Sequence, residues 1–227
     1  MNMTYEQAAQ KYGDNQIMTV PAGIVHHILE RPIDSVDAVI LFNAHLKPAY
    51  RRDAEFDTDN LQPIPYVVVC GLNQKDKSDR NFYIYTTHRI GGDNRLIGKY
   101  SIGTGGHVEC DESIGDALER ELKEEIGLTP DMFTDFSGNI AHFTHPATTE
   151  YSLIYDSSSE VNSVHVGIVL ACIAVDMDQV HVTEPDKLCG EWMSVDSIYT
   201  ELDANDLLED WSRIVLHRLF KSPEDRQ

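Results

Sequence analysis

Apolar residues recur at helical spacing in two stretches of the chain and at strand-like spacing in several others. Between residues 113 and 126, Ile114, Leu118, Leu122 and Ile126 fall at every fourth position, which puts them on one buried helical face. Asp111 and Ser113 are both placed to cap its start, and Asp116 follows Ser113 as in a capping box, with aspartate for glutamate. Gly127 stands where a left-handed residue ends a helix. Leu207, Leu208, Trp211, Ile214, Val215 and Leu219 form a second stripe, predicting a helix over residues 204–220. A short helix is expected over residues 4–12.

Residues 66–70 (YVVVC) and 82–87 (FYIYTT) read as strands, and the polar QKDKSDRN between them predicts a hairpin. Shorter strands are expected at 99–102, 107–109, 136–144, 150–155 and 191–193, with a fully buried one over 164–175. Residues 35–56 read as helix or irregular structure, and residues 53–63 as a polar connector. Strands around one central helix, with another helix closing the chain, predict an α/β architecture with a mixed sheet.

Composition narrows the function classes. The chain has 227 residues, 41% hydrophobic and 8% aromatic, enough to build a core. The longest apolar run, at 166–175, is well short of the roughly 20 residues that span a bilayer. The first residues, MNMTYEQAAQ, lack a basic stretch followed by an apolar one, so no secretory signal is expected. None of Cys70, Cys110, Cys172 and Cys189 sits in a C-x-x-C pair, and Cys70 and Cys172 lie in apolar runs. They read as reduced thiols in a cytoplasmic protein. A net charge of −20 argues against tight binding to nucleic acid or an anionic membrane. It favours solubility, and it leaves an anionic substrate in need of bound cations.

The chemistry is concentrated in GTGGHVECDESIGDALERELKEEIGL, residues 103–128. Glu121, Glu124 and Glu125 share one helical face beside the apolar stripe. Carboxylates so placed repel each other and are partly desolvated, which is costly unless a cation compensates. Hard oxygen donors suit Mg²⁺ or Mn²⁺. Three glutamates alone would read as an ordinary solvated face. The spacing decides otherwise: Gly106, five residues, Glu112, seven residues, then Arg120-Glu121-Leu122-Lys123-Glu124-Glu125-Ile126-Gly127-Leu128. Seven fixed identities make a chance match roughly one in 10⁸ per start position.

This segment resembles the box of the Nudix hydrolases at every defining position. The resemblance implies a Nudix α/β/α sandwich over residues 61–227, with residues 1–60 an extension packed on it. It implies that Glu121, Glu124 and Glu125 bind metal, with support from Glu112 and from the Gly106 carbonyl. Arg120 would orient the carboxylates, and one of the three glutamates, with Glu124 and Glu121 the first candidates, would also handle the proton of the attacking water. The implied reaction is Mg²⁺- or Mn²⁺-dependent cleavage of a diphosphate bond in a nucleoside diphosphate linked to another moiety. The partner is then a nucleotide-like small molecule. Many members dimerise, so a homodimer is compatible. RLIGKYSIGTGGHVE, VHVGIVLACIAV, EPDKLCGEWM and LEDWSRIVL look like a bacterial and phage branch of predicted phosphoesterases. The alternative is a Nudix-fold nucleotide-binding or regulatory module that cuts weakly. Such modules usually lose box glutamates, and here all four are present. Isoprenoid diphosphate isomerase chemistry would need further cysteine and glutamate site residues that cannot be placed.

Several other residues carry weaker expectations. Glu184, in the loop HVTEPDK, is in the part of the chain where some Nudix enzymes place a general base or extra metal ligand; a plain surface glutamate is the other reading. Arg89 and Lys99 flank a Gly-Gly loop near the box, within reach of a substrate phosphate or of the surface. His165 reads as a hydrogen-bonded core histidine. His142, His145, His26 and His27 read as structural. Trp192 and the serines at 157–159 are candidates for contact with a base or sugar.

Overall fold

A computed structural model describes residues 3–72, 82–91, 97–143, 152–158, 161–220 and 222. Along the chain the elements are α1 (Tyr5–Tyr12), β1 (Gln16–Pro21), α2 (Ala22–Glu30), α3 (Ser35–Asn43), β2 (Lys47–Tyr50), α4 (Arg51–Ala54) and β3 (Asn60–Leu72). β4 (Phe82–Arg89), β5 (Tyr100–Ser101), α5 (Ile114–Ile126), β6 (Phe133–Thr134), β7 (Leu153–Ile154) and β8 (His165–Ala174) follow. β9 (Leu188–Ser194), α6 (Val195–Ser197) and α7 (Asp210–Leu219) complete the order. Helices alternate with strands, as expected of an α/β chain. The chain divides into two compact units: Met1–Tyr66 with Gly105–Leu118 and His145–Val169, and Val67–Thr104 with Glu119–Thr144 and Leu170–Gln227.

In the first unit, α1 opens with a capping box in which Gln7 N–H donates to Thr4 and Thr4 N–H donates to Gln7. β1 pairs antiparallel with β2, Ile17 opposite Ala49, and then with β3, Val20 opposite Leu61. β1, α2 and β2 are elements the hydrophobic pattern did not predict. β3 also begins at Asn60, inside the expected connector. The core joins Val20, Val25, Ile28 and Phe42 to Val108, Ile114, Ala117 and Ile168. Two polar bonds pin it: Ile114 N–H donates to Asn43 Oδ1 (2.9 Å), and buried Ser35 Oγ donates to the Val169 carbonyl (2.6 Å).

The strand expected at 107–109 is reduced to one bridge, Ile17 to Glu109, beside a bond from Met18 N–H to the Val108 carbonyl. Gly105 lies against β3 so closely that a β-carbon would overlap the Pro65 carbonyl oxygen. Gly105→Ala is therefore expected to lower stability by about 3 kcal/mol or more, read as a drop in the urea midpoint. A midpoint within error of the parent would remove this packing from the account.

In the second unit, β3 and β4 pair antiparallel with Cys70 opposite Ile84, as the hairpin reading requires; its loop lies outside the described residues. β4 also pairs antiparallel with β9, from Tyr83↔Ser194 to Arg89↔Leu188, and with β5. β6 pairs with β8. A parallel bridge joins Tyr100 to Leu208, so both strand senses are present. That bridge explains why the last helix starts later than the stripe predicted. Tyr100 N–H donates to Leu207 and Glu209 N–H donates to Tyr100, so residues 207–209 run extended and α7 begins at Asp210. Cys70 and Cys172 are buried free thiols, and burial pushes the Cys70 thiol up to about 12.

Candidate active site

The box helix forms as its sequence dictates. Ser113 Oγ accepts from Asp116 N–H (3.1 Å), while the Asp116 carboxylate accepts from Ser113 N–H (3.1 Å). Asp111, the other cap candidate, instead sits in a left-handed turn with φ 69. Within that turn Glu112 accepts from Glu109 N–H (3.0 Å), and half-exposed Gly106 follows the tightly packed Gly105. Glu112 and Gly106 belong to the first unit, and the box residues from Arg120 onward to the second.

In the second unit, Arg120 reaches two carboxylates at once: its Nη1 lies 2.7 Å from Glu121 and 3.4 Å from Glu124. One guanidinium thus holds both side chains on the same helical face. Gly127, at φ 67, ends α5 by donating to the Lys123 carbonyl. The carbonyls beyond are satisfied by a neighbouring loop. Thr183 N–H donates to Glu125, its hydroxyl to Glu124, and His181 N–H to Ile126. This clasp brings Glu184 close enough to Glu125 for like-charge repulsion. Glu184 is half-exposed and also pairs with Lys187 at 2.7 Å.

Glu125 is the most perturbed group of this cluster. Burial pushes its carboxyl up to about 8. Glu121 adds to the rise, Arg89 opposes it, and Glu209 and Glu184 raise it further. Arg89 lies 3.8 Å from Glu209, with its Nε buried and without a hydrogen-bond partner among the described residues. Glu209 is itself raised, mainly by burial. Lys99, by contrast, faces the turn before α7, donating to the Asp206 carbonyl (2.6 Å) near its carboxylate (3.7 Å).

Glu209 is the site residue that the sequence reading missed. Its one signal was the acidic pair that precedes Trp211. Trp192 is committed elsewhere: its indole donates to Met177 and its ring meets Tyr85 edge-on. Ser158 is bonded to Asp156, while Ser159 and His145 lie outside the described residues. His142 is exposed.

The cluster is Glu121, Glu124, Glu125, Glu184 and Glu209 around Arg89 and Arg120. It is short of positive charge and offers only oxygen donors. Such a set fits a hard dication: one bound there would offset the burial and the like-charge repulsion that raise Glu125. Three of these carboxylates come from α5, and Glu184 and Glu209 approach Glu125 from the segments that precede β9 and α7.

The family model described as the NUDIX domain matches residues 64–217. Protein YmaB of Bacillus subtilis is 32% identical over 184 residues, covering 76% of this chain and 80% of YmaB. The crystal structure of Tm1382, assigned to the Nudix hydrolases, superposes with TM-score 0.61 at 22% identity, over 89% of this chain and 96% of Tm1382. DR0079 from Deinococcus radiodurans gives 0.50 at 12% identity, over 70% and 83%. The chain belongs to the Nudix family, whose hydrolases generally cleave phosphoric anhydride bonds.

Proposed function

We propose that the protein is a Mg²⁺- or Mn²⁺-dependent hydrolase of a nucleoside diphosphate linked to another moiety. The observation that carries this reading is the charge-starved cluster around Glu125, whose carboxyl stands at about 8 beside Glu121, Glu184 and Glu209. Glu121, Glu124 and Glu125 would hold the metal. When bound, the metal screens the diphosphate and lowers the pKa of water.

The chain's own residues do the positioning. Arg120 fixes Glu121 and Glu124 against each other, so neither needs to reorganise when a substrate binds. Glu124 or Glu121 would accept the proton of the attacking water, with Glu184, next to the Thr183 clasp, as a further candidate for that role. Arg89 offers a guanidinium to a substrate phosphate, with Glu209 keeping it in place. Lys99 is a second candidate for the phosphate only if its contact with Asp206 opens. The acidic surface and four free thiols suit a cytoplasmic enzyme acting on small molecules. Residues 61–227 would form the hydrolase domain and residues 1–60 an extension packed on it.

The test is a substrate panel of nucleoside triphosphates, nucleotide sugars, dinucleotide polyphosphates and ADP-ribose-like compounds, assayed for phosphate or nucleotide release. At least one member should turn over with Mg²⁺ or Mn²⁺ and not with chelator. Tight binding of one nucleotide without turnover of any would instead favour a regulatory module.

A further inference from the structure

We propose a second metal site, built by Glu55, His107 and His165 in the first unit and suited to Zn²⁺ or a similar borderline transition-metal ion. One donor atom from each of these three residues lies within 4.8 Å of the others. The two histidine Nε2 atoms are 3.2 Å apart. Two nitrogens bound to one tetrahedral zinc at about 2.0–2.1 Å stand roughly 3.3 Å from each other, so the pair already has the spacing the ion requires.

The donors are also oriented. His165 Nδ1 is 2.6 Å from the Val161 carbonyl, and only an N–H can donate there. In the neutral imidazole Nε2 then carries the lone pair and faces His107, the arrangement second-shell bonds impose on metal-binding imidazoles. His165 is 9% exposed, at the start of β8. The Glu55 side chain is 7% exposed, and Arg51 Nε lies 3.5 Å from its carboxylate. Buried Gln62 holds the turn before Glu55 through the Ala54 carbonyl. His107 is flanked by Gly105, pressed on Pro65, and by Val108, whose carbonyl accepts from Met18 N–H. Three separate segments thus present two nitrogens and one carboxylate oxygen to one point.

The donor chemistry separates this site from the box. Two imidazoles and one carboxylate favour zinc, whereas an all-oxygen set favours Mg²⁺ or Mn²⁺. A single shared proton between the two Nε2 atoms is the competing occupant. Because His107 precedes α5 and Glu55 precedes β3, the ion would tie the segment entering the box helix to the first sixty residues.

The full chain, stripped with chelator, would be titrated with ZnCl₂ in excess Mg²⁺ and desalted. Bound zinc is read by elemental analysis, and Co²⁺ in its place by visible d–d absorption. One equivalent is expected, with a melting temperature raised by about 5 °C or more. His107→Gln, His165→Gln and Glu55→Gln should each weaken retention at least about tenfold, while Glu121→Gln and Glu124→Gln keep it. Half-exposed His107 keeps the test open if the buried His165 variant does not fold. No zinc retained by the parent protein, retention unchanged in all three site variants, or loss in the Glu121 variant would each overturn the proposal.

Discussion

Glu124→Gln is expected to slow turnover of the best panel substrate by about a thousand-fold, equivalent to roughly 4 kcal/mol of transition-state stabilisation. The change keeps the shape of the side chain and removes one anionic oxygen pair from the face that Arg120 organises. Glu124 is 62% exposed, and its contact with Arg120 spans 3.4 Å, so little of the fold depends on it. The melting temperature of the metal-free protein should therefore hold while kcat collapses. Lys123→Gln, one position away and exposed, is the control and should lose less than about threefold, as expected of an exposed residue outside the donor set. A Glu124 variant that kept most of its rate would remove this residue from the catalytic assignment.

The second large effect concerns pH. Glu125 stands at about 8 in the folded protein, against the ordinary 4.5. Below 4.5 both folded and unfolded chains hold the proton, and the contribution to stability is fully present. Between 4.5 and about 8 the folded chain holds a proton that the unfolded chain has released. Stability of the metal-free protein is thus lost as pH rises through this window, by up to a few kcal/mol. A dication competes with the same proton, so Mg²⁺ affinity should rise towards about pH 8, by up to about tenfold per unit if one proton is displaced. Calorimetry in two buffers of different ionisation enthalpy would count the proton released. Glu125→Gln should flatten the metal-free stability profile. A parent profile that is already flat, with no proton released on Mg²⁺ binding, would contradict the assigned environment of Glu125.

Local rules made α5 legible, because every one of them agreed: an apolar residue each turn, a reciprocal Ser113–Asp116 cap, and Gly127 at the end. The hairpin of β3 and β4 was legible for the same reason, as β-branched and aromatic runs around a polar turn. β1 and α2 were not. QIMTVPAGIVHHILE is one nearly unbroken apolar stretch, in which neither period stands out. β2 hid because Lys47 and Pro48 suit an exposed edge and not a strand interior. In the site, the spacing of the box revealed the glutamates on one helix. The approach of Glu209 and Arg89 to Glu125, and the meeting of Glu55 with His107 and His165, are tertiary events with no local signature. The extended run at 207–209 shows the converse, where pairing with Tyr100 overrode a helical pattern.

The shared core of the first unit bears on any shortened form of this enzyme. A chain begun at residue 64, where the family match starts, would retain every box carboxylate. It would also strip Val20, Val25 and Phe42 from beneath Ile114 and Ala117, and take away the Asn43 amide oxygen that receives the first N–H of α5. The leading turn of α5 would then rest on water, so the box helix draws its support from more of the chain than the stretch that identifies the family.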